Sequence, residues 1–165
     1  MVNSIQNNYL INTNKQSSDE KKTKYTAEEE SKISAEENAI LYEKYKKAGY
    51  SKEEFDYVLK NGTTFPPFSA PGSVRRAWRQ AKENASPEER AEMKAFTIMF
   101  DGFRRDYPNY MSTMNNDTNG YLKMVKDMKS YAEQYNVNGD SQLQLQYKWY
   151  TKTLQIFDTE LKKFA

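Results

Sequence analysis

The sequence predicts an all-α fold: a compact bundle of about five or six helices with a flexible N-terminal tail and a C-terminal helical hairpin. Three observations carry this. Ser/Thr-x-x-Glu start signals recur along the chain, apolar residues return at steps of three and four, and two long apolar seams near the C-terminus are joined by a short turn. At 165 residues the chain suits one domain, with residues 1–25 as tail and 26–165 as a single helical domain.

Residues 1–25 are rich in Asn, Ser, Gln and Lys and offer little apolar surface to offset the entropy of ordering, so they are expected to be flexible. Their longest apolar run is Tyr9, Leu10 and Ile11, too short for a secretory signal peptide. No stretch approaches the roughly 20 apolar residues that span a bilayer, so no membrane span is expected. A soluble, cytoplasmic protein is the default. Polar tails of this composition precede many proteins sent through type III or flagellar export systems, which makes export by a signal-peptide-independent route the alternative.

The first helix is expected at about 27–47. Thr26 with Glu29 has capping-box spacing, Ser34 with Glu37 repeats it, and Ala35, Ala39, Tyr42 and Tyr45 can form an apolar face before Gly49. Ser51 with Glu54 opens a short second helix whose Phe55, Val58 and Leu59 share a face, and Asn61-Gly62 ends it. "TTFPPFSAP", residues 63–71, then interrupts the helical pattern. Its prolines stiffen it for docking, either onto its own bundle as a lid or onto a partner as a binding loop.

Ser73 is the expected cap of a third helix, with Val74, Ala77, Trp78 and Ala81 inward and Arg75, Arg76, Arg79 and Lys82 outward. "SPEER" is the strongest start signal: Ser86 as cap, Pro87 at the first helical position and Glu89 closing the box. The helix it opens should reach about Arg105 before "DYPNY" breaks it. It carries two apolar faces, Ala91, Ala95, Ile98 and Gly102 on one and Phe96, Met99, Phe100 and Phe103 on the other, and is expected at the centre of the core.

Beyond an Asn-rich link, Tyr121, Val125, Met128, Ala132 and Tyr135 form one seam. "NVNGD" turns the chain into a last helix at about 141–164 with Leu143, Tyr147, Tyr150, Leu154, Phe157, Leu161 and Phe164 as the other. The pair predicts an antiparallel hairpin. Leu145, Trp149 and Ile156 lie nearly opposite the second seam, so that helix is either sandwiched within the fold or keeps a side for another molecule.

Composition excludes several chemistries. The chain has no Cys and no His, which removes disulfides, thiolate and imidazole catalysis and the usual zinc ligand sets. Formal net charge is +2, from 25 cations and 23 anions, so no global field favours nucleic acid or an anionic membrane. The 13 tyrosines and an aromatic fraction of 14% point to a core of few, large side chains. Abundant Lys, Asn and Tyr suit an AT-rich bacterial genome.

Carboxylate pairs at Glu28–Glu30, Glu36-Glu37, Glu53-Glu54 and Glu88-Glu89 are explained by helix first turns, where negative charge complements the helix dipole. "NNDTNGYL", residues 115–122, imitates the start of a calcium-binding loop, but Lys126 occupies the place of the bidentate glutamate. A loop capping the next helix is the expected role, and no metal or cofactor is expected. "SVRRAWRQAK" with Arg104 and Arg105 is the one basic cluster containing an aromatic residue. Sequons at Asn61, Asn84 and Asn116 carry little weight without a signal peptide, and no phosphate loop, nucleophile elbow or dinucleotide fingerprint appears.

The expected function is a non-catalytic protein–protein interaction module of bacterial type: an adaptor, regulator or exported factor. Its partner would be another protein or a second copy, contacted through Phe65, Pro66, Pro67 and Phe68 and through Leu145, Trp149 and Ile156. The alternative is a small nucleic-acid-binding regulator using Arg75, Arg76, Arg79 and Lys82, supported by Arg104 and Arg105.

Overall fold

The computed structural model describes residues 23–165, so the expected tail lies outside the described residues except for its last part. Among the described residues seven α-helices follow in order: α1 (Ala27–Lys47), α2 (Lys52–Asn61), α3 (Gly72–Asn84), α4 (Pro87–Asp106), α5 (Tyr110–Thr113), α6 (Thr118–Ala132) and α7 (Ser141–Leu161). Short 3-10 turns follow α6 at Glu133–Tyr135 and α7 at Lys162–Phe164. The described residues are all-α, as the sequence predicts.

Three helices begin at reciprocal capping boxes, Thr26 with Glu29, Ser51 with Glu54 and Ser86 with Glu89, each satisfying two amides that would otherwise lack partners. Asp117 caps α6 by accepting from the Gly120 amide at 2.7 Å, which is the role expected for the Asn-rich loop. Two expected caps are corrected. Ser34 lies inside α1, because the box at Thr26 has already started that helix. α3 begins one residue before Ser73, whose hydroxyl is turned into a buried hydrogen bond with that of Thr118 at 3.1 Å. The Ser73 amide instead donates to Glu30 of α1 at 3.1 Å, so the start of α3 is capped by another helix.

α7 is the central element and packs against α3, α4 and α6. Tyr150, Leu154, Phe157 and Leu161 of its seam are buried, with Met124, Val125 and Met128 of α6 facing the same core. α6 and α7 are antiparallel: Lys129 reaches Asp158 late in α7 at 3.7 Å, while Tyr147 early in α7 donates to Glu133 at 2.8 Å. The predicted hairpin is therefore present. Tyr25, from the expected tail, packs its ring 6.3 Å from that of Phe164.

α4 buries its aromatic face, Phe96, Met99, Phe100 and Phe103, as expected. Its second apolar face is only partly covered. Gly102 is buried beneath the Tyr131 hydroxyl, but Ala91 is exposed and Ile98 is 70% exposed. α1 likewise differs from expectation, since Ala35 and Ala39 face solvent. Its buried residues are Ile33 and Glu37, while Tyr42 and Tyr45 pack on Phe55 of α2 with centroids 5.1 and 5.4 Å apart.

Candidate interaction surfaces

The proline-rich loop points into the fold. Phe65 is only 4% exposed and meets four rings near edge-on: Phe96 at 4.7 Å, Trp78 at 4.8 Å, Phe100 at 4.9 Å and Phe157 at 5.5 Å. Such T-shaped contacts place positive ring edges on negative faces and add to the burial energy. Pro66 is buried with it, and Pro67 and Phe68 are half-buried. The loop closes on itself through the Ala70 amide to Pro67 O at 2.9 Å, and Asn116 ties it to the α5–α6 link by donating to Ser69 O at 3.1 Å. Residues 63–71 form a lid whose anchor, Phe65, is a core residue; Phe65 and Pro66 present no surface to a partner.

The basic cluster divides between two places. On α3, Arg79 grips Glu37 of α1 through both carboxylate oxygens, Nε to Oε2 at 2.8 Å and Nη2 to Oε1 at 2.9 Å. Arg76 adds a bond from Nε to Glu37 Oε1 at 3.0 Å and also pairs with Glu36. Arg75 donates to Asn38 Oδ1 at 2.6 Å and to the Ser34 carbonyl at 3.1 Å. Glu37 is 5% exposed. Burial pushes its pKa up, but the hydrogen bonds and charges of Arg79 and Arg76 outweigh burial and hold it below the ordinary value.

Lys82 is exposed, its Nζ 6.0 Å from the Trp78 ring centroid. Trp78 itself is 7% exposed and packs against Phe157, so it anchors the core as its spacing implied. On α4, Arg104 lies over the Phe100 ring at 5.6 Å and Arg105 is 3.6 Å from Asp106. Both line a cleft of about 420 Å³ with Tyr107, Pro108 and Met111, to which none of the α3 arginines contributes.

The third surface is the outer side of α7. Ile156 packs against the core, and Lys152 on the same side bridges to Glu89 at 3.3 Å and Glu92 at 3.9 Å of α4. Towards the start of the helix this cover ends. Leu145 is 45% exposed and Trp149 is half-buried, one turn apart. The helix is thus sandwiched along its second half and open at its first.

Glu36, Glu37 and Asn38 hold the α3 arginines, yet the sequence pattern assigned the two acids to a helix first turn or to a cap. A signal existed in the complementary pattern of adjacent glutamates on α1 and adjacent arginines on α3, with the short α2 between them. Among the described residues no cluster of His, Cys, Asp or Glu is arranged to hold a metal, and no helix is long and apolar enough to cross a membrane. No protein family, curated protein or solved structure matches the chain.

Proposed function

We propose that the protein is a non-catalytic helical module that binds another protein through the open end of the outer α7 face, at Leu145 and Trp149. One observation carries the reading: a leucine and a tryptophan one turn apart stay partly open on the helix that otherwise centres the core. Tryptophan is the residue type most enriched at binding hot spots, and a helix rigidly packed on its other side loses little entropy on docking. The nucleic-acid alternative has less to draw on, because Arg75, Arg76 and Arg79 already hold acceptors within the chain.

Affinity capture from native cell extract, comparing wild type with Leu145→Ala/Trp149→Ala, tests the reading. Partners seen with wild type should be lost by the variant while its thermal unfolding changes little. Capture of the same partners by both proteins would refute it, and size-exclusion chromatography of the two proteins distinguishes self-association.

A further inference from the structure

α1 and α2 sit apart from the main core. Their buried apolar residues, Ile33 and Phe55, do not join the cluster that unites α3, α4, α6 and α7, and Phe55 packs instead on Tyr42 and Tyr45 of the same pair. α1 meets the rest of the fold mainly through α3. Apart from the close approach of Ile33 to Gly72, that interface is polar: Ser73, Arg75, Arg76 and Arg79 on one side, and Glu30, Ser34, Glu36, Glu37 and Asn38 on the other. α3 takes only the cap of its first turn, Glu30, from α1; its apolar anchorage is separate, since Val74, Ala77, Trp78 and Ala81 are buried in the main core.

We propose that the arginine face of α3 is a docking site for an acidic helical segment of a partner protein, occupied in the resting state by α1 as a displaceable arm. The two-oxygen grip of Arg79 on Glu37 is the geometry with which guanidinium groups select carboxylates. The face also has unused capacity. Arg75 Nε is buried with no acceptor among the described residues, a donor that α1 leaves unsatisfied and a partner carboxylate can fill. The outer edge of the contact is open to solvent, Glu36 being 64% and Arg76 22% exposed, so salt screens that edge while the Glu37 pairs behind it are screened less. This site is separate from the α7 face, and the tests below leave Leu145 and Trp149 untouched.

The experiment uses the full chain, wild type and Glu36→Gln/Glu37→Gln, in hydrogen exchange followed by mass spectrometry at low and high salt. In the variant, amides of α1 and α2 should exchange roughly tenfold faster or more, since charge-assisted hydrogen bonds are lost, while α4, α6 and α7 keep their protection. The probe for docking is a labelled synthetic peptide of residues 26–47, followed by fluorescence anisotropy. It should bind the variant more tightly than wild type, lose affinity with salt, and fail to bind once it carries Glu30→Gln, Glu36→Gln and Glu37→Gln. Equal exchange of α1 and α7, loss of protection throughout the variant, or no peptide binding would each overturn the proposal.

Discussion

The ring of Phe65 is set edge-on to the indole of Trp78, with centroids 4.8 Å apart and planes at 82°, so the proline-rich loop ends inside the aromatic core. Phe65→Ala should therefore cost about 3–5 kcal/mol, the range for deleting a buried phenylalanine. Phe68, half-buried over Gly62, should cost less when truncated. Urea denaturation of both variants, read as a shift in midpoint at unchanged slope, checks the order.

Gly72 marks the closest approach of α1 to α3. A Cβ built there meets the backbone of α1, 2.3 Å from Ser34 N and 2.7 Å from Ile33 C, so Gly72→Ala must push α1 away. At Gly102 the nearest atom is the end of the Tyr131 side chain at 3.1 Å, which can give way. Gly72→Ala should cost about 1–3 kcal/mol and Gly102→Ala less. Thermal unfolding of the two variants measures the difference.

Acid should loosen the α1–α3 contact. Glu37 has a folded pKa depressed below the ordinary 4.5, so its contribution is fully present above that value and is lost as pH falls through the folded pKa. The groups facing it are Arg76 and Arg79 of α3, with Glu36 beside it on α1. Glu29, Glu54 and Glu89 at the capping boxes are shifted in the same direction, chiefly by the backbone amides they accept from. Glu37→Gln should flatten part of the fall in melting temperature below pH 4.5 and leave the rest.

Alkali should act through the tyrosines. Burial pushes Tyr110, Tyr121 and Tyr131 well above the ordinary 10.0, with Asp127 adding to the first and Asp106 to the last. These phenols stay neutral in the fold and ionise near 10.0 when unfolded, so their stabilisation is present below that pH and declines above it. Ultraviolet titration should show these phenols ionising only together with loss of helical circular dichroism. Normal titration of all 13 tyrosines with helix intact would contradict this.

Local chemistry was legible in the sequence wherever it is settled within a few residues. The boxes at Thr26, Ser51 and Ser86 need only a hydroxyl and a carboxylate three positions apart, and all three form. The seams of α6 and α7 were readable because a steady repeat over many residues leaves one face to bury. α4 shows the limit: two apolar faces were visible, but periodicity does not say that Phe65 and Trp78 cover Phe96 and Tyr131 covers Phe103 while Ile98 stays bare. Ser73 was misread as a cap because its actual partners, Thr118 and Glu30, are remote in sequence. Glu37 was hidden for the same reason, since a buried carboxylate looks solvent-facing until the arginines of another helix arrive. The four residues of α5 went unread because Tyr110–Thr113 is too short to show a period.

Phe65 has one more effect, on the reach of the arm. With this ring fixed in the core and α2 ending at Asn61, only Gly62, Thr63 and Thr64 connect the two, a tether of about 10 Å when extended. Once released, α1 cannot leave the neighbourhood of α3. A competing acidic helix then faces a rival held at an effective concentration on the order of millimolar. A weak, single-site partner would lose that contest, so an effective one must bring a second point of attachment.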